Sequence, residues 1–136
     1  MTVVHSVTGP VDSVELGVCL PHEHIINDVR SWWSETTQPG VDPMQFRDAP
    51  VSEEILWELR QDPFGNLDNC VMDSYDTAIA ELGVFKDLGG SSVLEATSMS
   101  IGRDLKGLQK ISQATGLTIV AGTGMYLDAS MSDDER

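Results

Sequence analysis

The sequence predicts a mixed α/β fold in which short parallel strands alternate with helices. Two observations support this prediction. Short apolar segments typical of buried strands lie within 16–26, at 91–97 and at 117–122. Segments with apolar residues at helical spacing precede the second and the third of these strands. Strands that alternate with helices imply right-handed crossovers and therefore parallel pairing.

The N-terminal segment predicts one short strand and one helical turn. Residues 3–7 alternate loosely between apolar and polar side chains, and a turn is expected at 9–10, where Gly and Pro stand together. Asp12 and Glu15 have the spacing of a capping box, and Gly17 follows where the helical turn should end. This turn leads the chain into the first buried strand.

A long connection from Asn27 to about Cys70 is rich in turn-forming residues, yet it is too aromatic for a linker. Within it, Ser52 is expected to cap a short helix that starts at Glu53 and stops before Pro63. The aromatic residues of the connection are Trp32, Trp33, Phe46, Trp57 and Phe64. Two roles stay open for the adjacent tryptophans: they border a substrate pocket, or they anchor the connection to the body of the protein.

Two longer helices are predicted in the second half of the chain. Asp73 or Ser74 caps the first and Gly89 ends it, while Asp104 caps the second and Gly116 ends that one. Their expected buried faces consist of Ala78, Ile79, Leu82, Phe85 and Leu88 in the first helix, and of Leu105, Leu108, Ile111 and Thr115 in the second. The polar tail, 130–136, is expected to fray.

Two imidazoles, one residue apart, are the main candidates for chemistry. In a regular strand His22 and His24 point to the same face as Val18 and Leu20, and Glu23 points to the opposite face. Two neutral imidazoles on one face can chelate a divalent metal such as zinc. The alternative is that both histidines are ordinary surface or core residues. His5 is expected to be an ordinary surface or edge residue.

Proline and glutamate modify this segment. Pro21 cannot donate to a strand ladder, so pairing should loosen at the carboxyl end of this strand. Glu23 is assigned a packing or supporting role in preference to catalysis, because its side chain should face away from the two histidines. Asp104 has a sufficient role as a helix cap, and Arg103 has the option of pairing with a nearby carboxylate, so neither is assigned a catalytic role.

Charge and composition exclude several classes of function. The chain has 8 Lys plus Arg against 22 Asp plus Glu, for a formal net charge of −14. Such a surface repels nucleic acid and anionic membranes, so we expect neither as a partner. Two cysteines without close spacing, no basic leader with an apolar core and no long apolar run predict a reducing, cytoplasmic location.

Several short blocks resemble the phosphotriesterase family of the amidohydrolase superfamily, in the same order and at similar intervals. They cover nearly the whole chain, and they look closer to the phosphotriesterase-related proteins than to the bacterial organophosphate-degrading enzymes. The blocks are Gly9-Pro10, Glu15-Leu16-Gly17, His22-Glu23-His24, Asn66-Leu67-Asp68-Asn69, Gly89-Gly90, Ile101-Gly102-Arg103-Asp104, Ile111-Ser112-Gln113-Ala114-Thr115-Gly116 and Gly122-Thr123-Gly124-Met125-Tyr126-Leu127-Asp128. Any one block is weak, and their combination is specific.

The resemblance implies a (β/α)8 TIM barrel that holds one or two divalent metals, most simply zinc. It implies that His22 and His24 are the first metal ligands, and that a metal-activated water hydrolyses a small ester, lactone, amide or phosphoester. Tyr126 matches a position where the family places an aromatic residue near the metals, so it is a candidate for substrate binding, with a buried packing role as the alternative. The family's remaining ligands, a carboxylated lysine or a glutamate, two histidines and an aspartate, come from later strands, so no catalytic residue is expected in this chain.

Length conflicts with a complete barrel. A (β/α)8 barrel takes about 250 residues, whereas this chain has 136. Residues 1–136 are therefore expected to form the first three strand–helix units of a single truncated barrel, inactive alone and inclined to self-associate through its open edge. Two alternatives stay open: a non-catalytic truncated protein that acts by binding another chain, and a small complete open-sheet domain with incidental histidines.

Overall fold

A computed structural model describes residues 2–131 of the chain. The described residues form two compact units, one from 2–27 and 73–126 and the other from 28–72 and 127–131. Of the tail expected to fray at 130–136, residues 132–136 lie outside the described residues.

Short strands and helices make up the described part of the chain. The strands are β1 (Val3–Ser6), β2 (Gly9–Asp12), β3 (Cys19–Glu23), β4 (Asn27–Asp28), β5 (Val71–Met72), β6 (Ser92–Glu95) and β7 (Thr118–Ala121). The α-helices are α1 (Pro43–Asp48), α2 (Leu56–Gln61), α3 (Tyr75–Asp87) and α4 (Leu105–Thr115).

A parallel sheet with the strand order β3-β6-β7 forms the centre of the first unit. Helix α3 precedes β6 along the chain, and α4 connects β6 to β7. The predicted alternation of strands and helices is thereby confirmed. A third helix after β7 is not found in the described residues 122–131, which contain only a 3-10 turn at Asp128–Ser130, so three complete strand–helix units are not confirmed.

The core of the first unit lies between this sheet and its two helices. Val93 of β6 and Ile119 of β7 are fully buried against Leu108 and Ile111 of α4. Ala78, Ile79, Leu82 and Phe85 of α3 pack against the same cluster, as the helical spacing predicted. Two predicted core residues are exposed: Leu88 lies beyond the end of α3, and Leu105 is the first residue of α4.

The expected capping residues begin and end both helices. The Ser74 hydroxyl accepts a hydrogen bond from the Thr77 amide at 3.2 Å, and Asp104 accepts one from the Gly107 amide at 2.9 Å. Gly89 and Gly116 follow the two helices with φ of +96° and +67°, a region that side chains disfavour. Local sequence signals therefore set the bounds of α3 and α4.

The N-terminal segment differs from its prediction. Strands β1 and β2 form an antiparallel hairpin in which His5 is opposite Pro10, so the chain turns at 7–8 and not at 9–10. Asp12 then caps a 3-10 helix, Ser13–Leu16, that ends at Gly17, close to the predicted helical turn. Pro10 is tolerated in β2 because a two-stranded hairpin has edges whose amides need no partner in the ladder.

The second unit contains one helix that the sequence analysis missed. Asp42 accepts hydrogen bonds from the Met44 and Gln45 amides, both at 3.0 Å, and Pro43 occupies the first turn of α1. The predicted helix from Glu53 begins instead as a 3-10 turn, and the regular helix α2 starts at Leu56. In addition, the Ser52 side chain makes no capping hydrogen bond.

Both adjacent tryptophans are held within the second unit. The Trp32 ring packs edge-on against Phe64 with 5.3 Å between ring centres, and the Trp33 indole N–H donates to the Gly65 carbonyl at 3.1 Å. The Arg47 guanidinium lies 5.5 Å from the centre of the Trp33 ring. These contacts favour the anchoring interpretation. Among the described residues, no helix has the length and apolar character to cross a membrane.

Candidate metal centre

The carboxyl end of β3, where the two histidines lie, departs from regular strand geometry. Leu20 is paired with Val93, and the next partners are Glu23 and Glu95, so β3 has one extra residue in this interval. Pro21 lies inside the interval, which confirms the predicted loosening of the ladder. The prediction that His22 and His24 share a face with Leu20 by regular alternation does not hold through this irregularity, because an extra residue resets the two-residue period.

His22 and His24 nevertheless lie next to each other. Their ring centres are 5.5 Å apart, and the rings meet edge to face at an interplanar angle of 73°. Two imidazoles bound to one tetrahedral zinc ion, with Zn–N distances of about 2.0–2.1 Å, have ring centres about 5 Å apart. His22 is exposed and His24 is half-buried. The spacing of the pair therefore fits shared ligation of one ion.

A buried hydrogen-bonded chain holds His24. Its Nδ1 atom lies 2.9 Å from the Thr97 hydroxyl, and that hydroxyl donates to Glu95 Oε1. Thr97 and Glu95 have 0% and 1% of their surface exposed. With its proton donated to the carboxylate, the Thr97 hydroxyl has a lone pair that can accept a hydrogen bond from a protonated His24 Nδ1.

Glu95 carries a carboxyl group in a buried position of β6. Its carboxylate accepts further hydrogen bonds from the Thr97 amide at 3.1 Å and from the Ile25 amide at 3.3 Å. Burial raises the pKa of this carboxyl group above its ordinary value, although its hydrogen bonds and the nearby His24 act in the opposite direction. A carboxyl group in this position must be hydrogen-bonded to be tolerated, and here both of its oxygens are.

Within the described residues, no group of three or more His, Cys, Asp or Glu side chains is arranged to hold a metal ion. The carboxylate of Glu95, on the paired strand β6, is engaged with Thr97 and Ile25. In the part of the chain that the structure describes, this candidate centre therefore contains two imidazoles, one group fewer than the three protein ligands of a typical catalytic zinc site.

Other residues selected from the sequence lie outside this chain of hydrogen bonds. His5 is exposed on β1, as expected. Arg103 donates a hydrogen bond from Nη1 to the Gly122 carbonyl, so this guanidinium group binds a backbone oxygen and not a carboxylate. Tyr126 follows the carboxyl end of β7, and 43% of its surface is exposed. Its exposure does not fit the buried packing role, and the substrate-binding role stays a prediction.

Glu95 and Thr97 are the residues that sequence analysis missed. A signal was present: Glu95 interrupts an apolar strand that is predicted to be buried, and an ionisable residue there requires partners. The partner on the other strand depends on the irregular register of β3, which local sequence patterns do not specify.

The first unit combines a parallel β-sheet with helices, and a histidine pair lies at the carboxyl end of β3. These features define an α/β protein with a candidate metal centre at its strand ends. The chain matches the model of the Phosphotriesterase family over residues 2–134, and it belongs to that family.

Relatives and solved structures agree with this assignment. The chain is 34% identical over 134 residues to an N-acetyltaurine hydrolase of Xenopus tropicalis, and the match covers 98% of this chain and 38% of that protein. It is 44% identical to a resiniferatoxin-binding protein from Rhodobacter sphaeroides, with a TM-score of 0.90 over 97% of this chain and 36% of that one. A lactonase from Listeria monocytogenes is 25% identical, with a TM-score of 0.60 over 90% of this chain and 28% of that one. The chain thus spans well under half the length of these proteins.

Proposed function

We propose that this chain is the N-terminal portion of a metal-dependent hydrolase that acts on small ester or amide substrates, lactones and phosphotriesters included. Its strands would be the first strands of a (β/α)8 barrel. The main support is the His22–His24 pair at the carboxyl end of β3, with ring centres 5.5 Å apart. In barrels of this class, chemistry takes place at the carboxyl ends of the strands.

His22 and His24 would hold a divalent metal, with zinc as the first candidate. Imidazole nitrogen is a common zinc ligand, and His24 has its Nδ1 atom occupied by Thr97, which leaves Nε2 for a metal. When bound, the metal supplies Lewis acidity, which activates water as a nucleophile and polarises the substrate oxygen. Names such as hydrolase and lactonase among the relatives support hydrolysis as the reaction class.

The proposal assigns little activity to the chain alone. Two imidazoles make an incomplete site, and the chain covers 38% of its matched Xenopus relative. The residues of this chain would bind and orient, while the remaining ligands would come from later strands of a complete barrel. We propose Tyr126 as a substrate contact, because its segment leaves the carboxyl end of β7 with an exposed aromatic ring.

Zinc titration of the metal-free chain by calorimetry tests this function. The His22→Ala/His24→Ala variant should lose the binding, and His5→Ala is the matched control because it removes the third histidine from an exposed site on β1. The expected result is weak binding that depends on the pair and is unchanged by His5→Ala.

Equal binding by the double variant and by the parent chain would contradict the proposal. It would favour the second candidate, a non-catalytic protein that acts by association with another chain. Tight, stoichiometric binding that the double variant loses would mean that the chain completes a site by self-association, and it would justify assays with ester and lactone substrates.

A further inference from the structure

We propose that Thr97, held by Glu95, is a positioning residue that keeps the His24 proton on Nδ1 and so presents the Nε2 lone pair to a metal. This inference deepens the proposed function and rests on it for the identity of the ligand. Glu95 is the last residue of β6, and Thr97 lies in the loop that follows. Neither residue belongs to the sequence blocks that resemble the phosphotriesterase family.

The single proton of the Thr97 hydroxyl decides which nitrogen of His24 carries a proton. A hydroxyl has one proton to donate and two lone pairs that accept. That proton is donated to Glu95 Oε1, so the 2.9 Å contact with His24 Nδ1 must use a Thr97 lone pair. Nδ1 therefore carries the proton, and in a neutral imidazole the other nitrogen, Nε2, is then the free acceptor.

The environment of Glu95 explains why the Thr97 proton has this direction. Apart from the hydroxyl, the carboxyl group contacts the backbone N–H groups of Ile25 and Thr97, and an N–H group can only donate. An ionised carboxylate accepts all three hydrogen bonds, and each one offsets part of the cost of its burial. Glu95 thus acts as the acceptor that terminates the chain of hydrogen bonds.

The cost of this arrangement separates it from ordinary packing. Glu95 occupies a position in a buried parallel strand where an apolar side chain would fill the space without any buried charge. The extra residue in β3 lies between Leu20 and Glu23, directly before His24, and it changes where the following side chains point. A buried carboxylate, a buried hydroxyl and a strand irregularity therefore converge on one imidazole.

His22 provides an internal comparison. In the part of the chain that the structure describes, no hydrogen bond to its ring is recorded, and its side chain is exposed. The two neighbouring imidazoles thus differ: the His24 ring contacts the Thr97 hydroxyl, whereas the His22 ring is exposed. Hydrogen bonds to the far nitrogen of a metal-binding histidine typically contribute 10–100-fold to metal affinity, so loss of the Thr97 bond should be measurable.

The first measurement is the tautomer of His24 in the metal-free chain. Nitrogen-15 NMR of histidine-labelled protein, at a pH well above about 6.5, distinguishes Nδ1–H from Nε2–H. We expect the Nδ1–H form at His24 in the parent chain and in Thr97→Ser. Thr97→Val, which keeps the shape and removes the hydroxyl, should shift His24 toward the Nε2–H form and leave His22 unchanged.

The second measurement is zinc affinity of the same variants. Thr97→Val should weaken zinc binding by about 10–100-fold, and Thr97→Ser should restore most of it. An Nε2–H form at His24 in the parent chain overturns the inference, and so does an unchanged tautomer in Thr97→Val. If Thr97→Val does not fold, as judged by far-UV circular dichroism, the tautomer of the parent chain decides the question.

The two proposals fail in different ways. Zinc bound by the histidine pair, with no effect of Thr97→Val on affinity or tautomer, overturns the positioning role alone. A tautomer that responds as expected, in a chain whose zinc binding does not depend on His22 and His24, overturns the proposed function and leaves the Thr97–His24 hydrogen bond intact.

Discussion

Glu23 and Glu95 are partners across the parallel strands β3 and β6, although two residues lie between Leu20 and Glu23 and only one lies between Val93 and Glu95. The extra residue, between Leu20 and Glu23, interrupts the regular alternation of side chains in β3 just before His24. Beyond it, the Ala96 amide donates to the Glu23 carbonyl at 2.8 Å, so the strands stay joined up to the candidate centre. The irregularity therefore redirects side chains and does not separate the strands.

The buried carboxyl group of Glu95 should make stability depend on pH. Its pKa in the folded chain is raised above the ordinary value of 4.5, chiefly by burial. The folded chain then holds the proton to higher pH than the unfolded chain, so this contribution to stability is greatest below 4.5 and is lost as pH rises through the folded pKa. The slope should not exceed about 1.4 kcal/mol per pH unit.

Urea unfolding of metal-free protein across this pH range measures the effect. Glu95→Gln should remove the part of the decline in unfolding free energy above pH 4.5 that this carboxyl group contributes. Glu23→Gln is the matched control, since it also removes one formal charge from the same strand pair. A decline that persists unchanged in Glu95→Gln would contradict this assignment.

Gly17 should be intolerant of any side chain. Its φ is +56°, and a Cβ atom there would lie 2.6 Å from Ser91 Oγ and 2.8 Å from Ser91 Cβ. Gly17→Ala should lower the unfolding free energy by about 2–4 kcal/mol, through backbone strain and the contact together. Gly89 has a φ of +96° with nothing within 4 Å of its would-be Cβ, so Gly89→Ala should cost only the strain, about 1 kcal/mol. Equal losses in the two variants would exclude the Ser91 contact as the cause.

Self-association remains a prediction for this chain. In the described sheet, β7 has one strand partner, β6. Leu94 and Val120 lie on the face of the sheet opposite the helices, and both side chains are only partly buried. We expect sedimentation velocity to show species larger than 14.8 kDa that decrease in Val120→Lys. Val14→Lys, at a site 82% exposed outside the sheet, is the control. A monomer that unfolds cooperatively at all concentrations would contradict this prediction.

Local signals made most of the first unit predictable. The caps at Ser74 and Asp104 and the glycines at 89 and 116 act within a few residues, so the sequence contains all that sets them. The candidate metal ligands His22 and His24 were likewise identifiable from the sequence, because only one residue separates them. Family membership followed from several blocks in order, because no single block is specific.

Contacts between distant parts of the chain account for what the sequence did not predict. The partners of Glu95 include Ile25, 70 residues away, and the contact of Thr97 with His24 spans 73 residues. The register of β3 is equally non-local, because it is set by pairing with β6. Helix α1 is different: its Asp42-Pro43 start was a recognisable local signal that the many turn-forming residues of its surroundings obscured.

Asn66 should be the most sensitive polar side chain of the second unit. It is fully buried, and its Nδ2 donates to the carbonyls of Phe46 at 2.6 Å and Ala49 at 2.8 Å, while Oδ1 accepts from the Asn69 amide at 2.8 Å. Asn66→Ala leaves these groups unpaired and should lower the unfolding free energy by about 2–4 kcal/mol.

Asn69→Ala is the matched control for this prediction. The Asn69 side chain makes one exposed hydrogen bond, from Nδ2 to the Pro63 carbonyl at 3.0 Å, so its loss should cost about 0.5–1 kcal/mol. Urea unfolding followed by tryptophan fluorescence is suitable, because Trp33 contacts Gly65 beside this network. A loss in Asn66→Ala no larger than that in Asn69→Ala would mean that the three bonds of Asn66 are replaced by water, and that the buried amide does not hold α1 to the segment at 66–69.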